Sequence, residues 1–205
     1  DNLNDIDYYK HLLSLPGIFF NKNNLIQKCI NYININKNNN FIWKEKLKKF
    51  NKPVIALNWQ GDQNFLNDSE RSMKLIKFKN ILKNEKFKFI SLQKGYGSDQ
   101  ISSYDLNSSI LDLSSKIDLT ENSFEDTIDI LNNINLLITT DTAIAHLAGT
   151  LNVKTLLLLG YNPEWRWYIE IEKNCFYPSI KIIQQTHFDN WDSVFENINS
   201  ELDKN

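Results

Sequence analysis

The sequence places a cluster of anion-binding side-chain types directly after an aliphatic stretch. The cluster comprises four consecutive polar residues and one histidine: Thr139, Thr140, Asp141, Thr142 and His146. An aliphatic strand that ends in hydroxyl and carboxylate groups, before a helix of small residues, is typical of a parallel sheet that presents backbone N–H groups to a ligand. Such N–H groups carry partial positive charge and suit a diphosphate.

We expect this helix to begin at Asp141 or Thr142. Thr142 and His146 would then be extra donors to the diphosphate. Asp141 would repel phosphate, so we expect it to cap the helix or to bind a sugar hydroxyl. The alternative is that Asp141 is only a cap and His146 only a surface histidine, but the aliphatic strand in front of them favours ligand binding.

A second candidate loop, "LQKGYGSDQ", follows another apolar segment. Its glycines permit a sharp turn or the close approach of a ligand, and Lys94 is a point charge for phosphate beside Gln93 and Gly95. Gln100 stands where a dinucleotide-binding fingerprint has its third glycine, so that fingerprint is not supported. An ordinary glycine turn is the alternative.

A third loop, "NWQGDQNFLNDSERSMKL", contains Asn58, Trp59, Gly61 and Arg71, and the last three are candidate ligand contacts. The Arg71 guanidinium precedes a helical pattern and could fork onto phosphate oxygens. A surface ion pair with Asp68 or Glu70 is the alternative, and the local sequence favours it.

The fourth loop, "GYNPEWRWYIE", has Trp165 and Trp167 on either side of Arg166. An aromatic ring here could pack over a base or a sugar ring, and Trp165 is our candidate for this contact. Core packing of one of the two is the alternative. The alternation predicts that one indole points inward while the other stays free.

Composition restricts the class of protein. The chain has 205 residues, 41% of them hydrophobic, which is enough for one sizeable domain with a core. A net charge of -2 gives no field that would gather nucleic acid, so we expect no nucleic-acid partner. Cys29 and Cys175 have no metal-ligand spacing, and no apolar run reaches the ~20 residues of a membrane span. We expect no metal, no cofactor and no transmembrane segment.

Strand-like and helix-like segments alternate from Pro53 onward. The predicted strands lie in "PVIALNW", "FKFISLQ", "SILDLS", "LLITT" and "KTLLLLG", and the predicted helices include "MKLIKFKNIL", "SFEDTIDILNNI" and "WDSVFENINSEL". In the second helix, Ser123 and Asp126 have the spacing of a capping box. This alternation implies βαβ units. The predicted fold class is therefore α/β, a Rossmann-like doubly wound, mainly parallel sheet with its ligand site at the carboxyl ends of the strands.

The chain resembles the heptosyltransferase-type glycosyltransferases of family nine, and most of all the subgroup often attached to tetratricopeptide repeats. The resemblance covers most of residues 14–195 and rests on the segments "SLPGIF", "PVIALNWQGD", "RSMKLIKF", "FISLQKGYGSDQ", "ITTDTAIAHLAGTLNVKTLLLLGYNPEWRWY", "CFYPSIKIIQQ" and "WDSVF". It implies the C-terminal half of a glycosyltransferase-B fold, the half that binds the nucleotide-sugar donor.

The resemblance also assigns positions. The donor-binding turn would consist of Asp141, Thr142, Ala143 and His146, with Lys94 and Arg71 as basic positions near it. Residues 1–50 would be a partly helical remnant of, or linker from, an acceptor-side domain, and residues 51–205 the nucleotide-sugar-binding domain. The acidic general base of the family has no counterpart in this sequence, so the catalytic residues stay unknown and the isolated chain is expected to bind without full activity.

The reaction this implies is transfer of a sugar from a nucleotide diphosphate sugar to an acceptor hydroxyl without a metal ion. The acceptor, a glycan, a lipid-linked sugar or a protein, is open. The expected location is the cytoplasm, or peripherally the inner face of a bacterial membrane. Three alternatives remain: a non-catalytic sugar-nucleotide-binding module, a nucleotide-sugar epimerase or hydrolase of the same fold, and an oxidoreductase domain with a nicotinamide cofactor.

Overall fold

The computed structural model describes residues 42–120, 124–167 and 176–204, together with Ile33. Within this part of the chain, six strands form one sheet in the order β3-β2-β1-β4-β5-β6, and every neighbouring pair is parallel. The predicted Rossmann-like α/β class is confirmed. The strands are β1 (Val54–Asn58), β2 (Lys88–Ser91), β3 (Ile110–Asp112), β4 (Leu136–Thr140), β5 (Thr155–Leu159) and β6 (Ile180–Gln184).

The central strands are buried along their whole length because the sheet is covered on both faces. Every residue of β1, β4 and β5 is buried. Successive side chains point to opposite faces, so in β1 Ile55 and Leu57 join one hydrophobic cluster while Val54 and Ala56 join another. This explains why the central strands appear in the sequence as continuous aliphatic runs.

The helices that cover the sheet differ widely in length. They are α1 (Ile42–Lys48), α2 (Asp68–Arg71), α3 (Gln100–Ser103), α4 (Glu125–Leu131), α5 (Ala143–Thr150) and α6 (Asp192–Leu202). Short 3₁₀ turns occur at Leu75–Phe78, Ile81–Lys83 and Trp165–Trp167. None of the described helices is long and apolar enough to cross a membrane.

The prediction of a regular helix in "MKLIKFKNIL" is wrong about the type of helix. Two 3₁₀ turns stand there, although Leu75, Phe78, Ile81 and Leu82 are all buried as the pattern required. The first three of these residues recur every third position, and a 3₁₀ helix with three residues per turn aligns them on one side. An apolar spacing of three therefore did not distinguish the two helix types.

The start of α4 also differs from the prediction. Ser123 lies outside the described residues, and the first turn is capped by Asp118, whose Oδ1 accepts hydrogen bonds from the backbone N–H groups of Asp126 (2.9 Å) and Thr127 (3.3 Å). Asp126 reciprocates by accepting the Asp118 N–H at 2.8 Å. Asp118 thus forms the reciprocal hydrogen bonds of a capping box with Asp126. It does so from a position six residues before Phe124, the residue that precedes the helix.

Helix α1 packs against α4 on one face of the sheet. The Trp43 backbone N–H donates to Asp129 Oδ2 at 2.9 Å, and its indole N–H donates to Asp126 Oδ1 at 2.7 Å. The lysines of this helix are exposed, and Lys48 pairs with Glu45. The domain boundary at residue 50 stays a prediction, since residues 1–41 lie outside the described part of the chain except for Ile33.

Candidate ligand site

The strand order creates a crevice between β1 and β4. The chain leaves β1 toward β2 and leaves β4 toward β5, on opposite sides, so the loops that follow these two adjacent strands diverge. In sheets of this order ligands bind at such a point, outside the carboxyl ends of the strands. Asn58 ends β1 and pairs in register with Thr139 of β4. The polar cluster found in the sequence therefore lies at this crevice.

Helix α5 begins beside the crevice with no side-chain cap. It starts at Ala143, slightly later than predicted, and Thr142 in extended conformation (φ −139°, ψ 169°) is its N-cap residue. The Thr142 hydroxyl donates to Asn58 Oδ1 at 3.0 Å instead of accepting a helix N–H. Asp141 is not the cap, contrary to one of its two predicted roles, and only 7% of it is exposed. Since Ala143 is exposed, the first turn of α5 is open to solvent.

Small residues let α5 lie close to the sheet. Ala145 and Ala148 are fully buried, while Ile144 and Leu147 are partly buried and pack at the margin of the core. Gly149 leaves no room for a Cβ, because the Tyr177 ring occupies that space. The helix is thus fixed along its length, which fixes the position of its first turn.

His146 lies one turn into α5, in an aromatic cluster. Its ring stacks on Trp167 with centroids 4.6 Å apart and planes at 18°, and its Nδ1 shares a hydrogen bond with the Tyr177 hydroxyl at 3.2 Å. Burial lowers the pKa of His146; the Asp141 carboxylate opposes this shift and Arg166 adds to it. The ring is therefore neutral at pH 7, with one nitrogen engaged by Tyr177. His146 is therefore a partly buried histidine held by aromatic contacts, and its contact with a ligand stays a prediction.

The lowered pKa of His146 makes stability depend on pH. Below about pH 6.5 the unfolded chain takes up a proton on this histidine that the folded chain resists, so stability is complete above that pH and falls as the pH drops through the folded-state pKa. We expect urea unfolding to show a smaller loss of stability between pH 7.5 and 5.5 in His146→Gln than in wild type. His187→Gln, at an exposed position, should behave like wild type. An equal loss in all three proteins would contradict the assignment.

Arg71 connects the short helix α2 to the start of α5. Its Nε donates to Asp68 Oδ1 at 3.0 Å and its Nη1 donates to the Asp141 carbonyl at 3.1 Å. The guanidinium also lies 4.2 Å from the centroid of the Phe65 ring. A Cβ on Gly61 would lie 2.6 Å from Arg71 Nη2, so the glycine makes room for this arrangement. The ion pair with Asp68 is thus confirmed, and it positions Arg71 beside the candidate turn.

Two cavities lie on either side of the start of α5. The Arg71 cavity, of about 270 Å³, is lined by Phe65, Asn67, Glu70, Arg71, Asp141, Leu159, Gly160, Asn162, Pro163 and Glu164. The Lys94 cavity, of about 330 Å³, is lined by Asn58, Gln60, Gly61, Asp62, Leu92, Gln93, Lys94, Tyr96, Asp118, Phe124, Thr127 and Ile144. Asp141 just before the helix borders the first cavity, and Ile144 in its first turn borders the second.

The remaining predicted residues have different positions. Lys94 borders its cavity, with its Nζ donating to the carbonyls of Ile117 (2.7 Å) and Asp118 (2.9 Å). Gly95 adopts a left-handed conformation (φ 63°) in an exposed turn. The Trp59 side chain is fully buried in the core, so it supports the loop from behind and does not face a ligand.

Tryptophans 165 and 167 were expected to divide between core and surface. Trp167 is the inward one, at 1% exposure. The side chain of Trp165 lies outside what the structure describes, so its contact with a ligand stays a prediction. No group of three or more His, Cys, Asp or Glu side chains suited to a metal ion occurs within the described ranges.

Sequence reasoning missed one contributor to this site and gave another no role. Asn58 was noted in its loop without a function, although a polar residue at the end of a buried aliphatic strand was a usable signal in the sequence. Tyr177 contacts His146 from 31 residues away in the sequence, and no local pattern indicates that contact.

No protein-family model matches the sequence, and no curated protein matches it. Among solved structures, the chain is similar to ADP-heptose LPS heptosyltransferase II of E. coli, with 13% identity, a TM-score of 0.53 and coverage of 80% of this chain and 51% of that one. The two chains share a fold. A family 9 glycosyltransferase from Veillonella parvula DSM 2008 is also similar, with 14% identity, a TM-score of 0.45 and coverage of 78% and 45%.

The predicted resemblance to heptosyltransferase-type glycosyltransferases is confirmed at the level of the fold. The chain spans about half the length of these two solved structures. The relation to the subgroup with tetratricopeptide repeats stays a prediction.

Proposed function

We propose that the chain binds a nucleotide diphosphate sugar and contributes the donor side of a glycosyltransferase. The observation that carries this proposal is the open, uncapped first turn of α5 at the crevice between β1 and β4. A helix start of this kind binds diphosphates through its backbone N–H groups. The fold shared with a heptosyltransferase supports the sugar-transfer reaction.

Charge on the leaving diphosphate is what the site would stabilise. As the bond between sugar and diphosphate breaks, negative charge accumulates on the diphosphate oxygens, and preorganised donors lower the barrier. The first turn of α5 supplies backbone N–H groups, while Arg71 and Lys94 supply positive charge in the two adjoining cavities. His146 is neutral and can serve as a hydrogen-bond donor or acceptor, depending on its tautomer. We propose that these groups act without a metal ion.

The two cavities suit the two ends of such a donor. The Arg71 cavity includes the carboxylates of Glu70, Asp141 and Glu164, which are acceptors for sugar hydroxyls. The Lys94 cavity includes the exposed rings of Tyr96 and Phe124, on which a base can stack. We therefore assign the sugar to the Arg71 cavity and the nucleoside to the Lys94 cavity, with the diphosphate between them at Ala143.

A thermal-shift panel tests this proposal directly. Adenosine, guanosine, uridine, cytidine and thymidine diphosphates and their sugars are added in turn, with ADP and ADP-sugars first because the matched enzyme uses ADP-heptose. A ligand at 100 times its Kd should stabilise the protein by about 2.7 kcal/mol, and the shift should persist in EDTA. If no nucleotide raises the melting temperature, the proposal is wrong; a shift that EDTA abolishes would refute only its metal-independence.

Product analysis separates the enzyme classes. Donor sugar incubated with the chain alone should remain intact, because transfer needs an acceptor hydroxyl. A released or epimerised sugar would instead indicate a hydrolase or an epimerase. Binding of a nicotinamide dinucleotide in preference to a nucleotide sugar would indicate an oxidoreductase domain.

A further inference from the structure

Gln93 holds together the loops that follow β1 and β2. It is 2% exposed, and its carboxamide oxygen accepts three hydrogen bonds, from Asn58 Nδ2 (3.0 Å) and from the backbone N–H groups of Trp59 (3.1 Å) and Gln60 (3.0 Å). Its Nε2 donates to the carbonyls of Gln60 (3.1 Å) and Tyr96 (2.8 Å). All donors and acceptors of this side chain are therefore used within the chain. It has none left for a direct contact with the donor, the role predicted from the sequence.

The same hydrogen bonds extend to the start of α5. Asn58 uses its Nδ2 on Gln93 and accepts hydroxyl hydrogen bonds from Thr139 (3.3 Å) and Thr142 (3.0 Å) at its Oδ1. Gln93 and Asn58 thus join the ends of β1, β2 and β4 to the residue that precedes α5. Both also border the Lys94 cavity, together with Gln60 and Tyr96.

We propose that Gln93 is a positioning residue that assembles the nucleotide site before any ligand arrives. This proposal rests on the proposed function and adds a role to it. Gln93 fixes the wall of the Lys94 cavity by binding backbone groups of both loops, and through Asn58 it engages the Thr142 hydroxyl. A ligand therefore meets a preformed cavity and does not have to order the loops itself.

Glutamine is the only side chain of this size that can make all five contacts. A carboxylate cannot donate to the Gln60 and Tyr96 carbonyls, and an apolar side chain leaves every one of these groups unpaired. Each buried polar group left without a partner destabilises the arrangement of the loops. Gln93→Glu changes one heavy atom of the side chain and so tests the donor function with little change of shape.

Gln93→Glu is expected to lower the affinity for the best nucleotide of the panel at least about tenfold at pH 8, measured by calorimetry. Burial should raise the pKa of the introduced carboxyl group. As the pH falls from 8 to 5.5 the group becomes protonated and regains one O–H donor, so the affinity relative to wild type should recover. Gln93→Met has a similar size and no titratable group, and its affinity relative to wild type should be low and independent of pH.

Wild-type affinity in Gln93→Glu at pH 8, or the same pH response in both variants, would overturn the positioning role. Hydrogen exchange on the unsubstituted protein gives a second measure that does not depend on the variants folding. The amides of Trp59 and Gln60 should be protected without nucleotide, and free exchange there would equally overturn the proposal. If wild type binds no nucleotide, the proposed function fails, and the exchange of these two amides still decides whether Gln93 holds the loops.

Discussion

Ala143→Asp is expected to reduce affinity for a nucleoside diphosphate about 100-fold while leaving the fold intact. Ala143 is the exposed first residue of α5. A carboxylate there interacts favourably with the helix dipole, which adds about 0.3–1 kcal/mol of stability. The same carboxylate occupies the positive helix start and repels a diphosphate, and two like charges about 4 Å apart near a protein surface interact by up to roughly 4 kcal/mol. Calorimetry and thermal unfolding measure the two effects on one sample.

Opposite changes in stability and affinity are the signature of this prediction, because general damage to the fold would lower both. Ala143→Asn is the neutral control of nearly the same shape and should bind much more tightly than Ala143→Asp. Ser193→Asp adds the same charge to the first turn of α6, which packs on β6 at the edge of the sheet, and should bind like wild type. Equal affinity in Ala143→Asp and wild type would remove the start of α5 from the ligand site.

Gly160→Ala is expected to destabilise the protein by about 1–3 kcal/mol, the usual cost of forcing extra atoms into a packed site. Gly160 directly follows β5, and a Cβ there would collide with the backbone carbonyl of Glu70 in α2. Since a backbone group cannot rotate away, α2 has to move, and Arg71 moves with it. We therefore expect weaker nucleotide binding as well, through loss of the Arg71 bond to the Asp141 carbonyl.

Gly61→Ala is the matched control for Gly160→Ala. Its Cβ would meet the end of the flexible Arg71 side chain, so the guanidinium can shift without moving the backbone. Urea unfolding should show a smaller loss of stability for Gly61→Ala than for Gly160→Ala, while both weaken binding through Arg71. Wild-type stability in Gly160→Ala would show that α2 yields easily and that the close approach is not needed.

The strands with a strong local pattern of hydrophobic residues could be predicted from the sequence. The runs that became β1, β4 and β5 are buried on both faces, so their sequences are continuous aliphatic stretches that only a central strand of a parallel sheet requires. Strand β6 was missed because it lies at the edge of the sheet, where Lys181 is exposed and the aliphatic run is interrupted. The residues after β4 were placed correctly at the carboxyl edge of the sheet, because strand direction alone determines that edge.

The contacts of the site were harder to foresee, since they join distant parts of the chain. The Thr142 hydroxyl bonds to Asn58, 84 residues earlier, and so does not cap its own helix. Asp118 caps α4 from outside the expected motif, and Gln93 uses its amide on two loops. In each case a hydrogen-bond partner distant in the sequence replaced the local partner that the sequence pattern suggested. Such partners are brought together only by the tertiary fold, so local patterns do not predict them.

The 3₁₀ turns between β1 and β2 have a consequence for how the chain folds. They share one hydrophobic cluster with α6: Phe195 stands edge-on to Phe78 with ring centroids 5.0 Å apart, and Val194 and Ile198 are fully buried in the same cluster. During synthesis, β1 emerges from the ribosome well over a hundred residues before α6. This cluster of the core is therefore completed only when α6 packs against residues that lie far before it in the sequence, so its formation depends on a long loop closure.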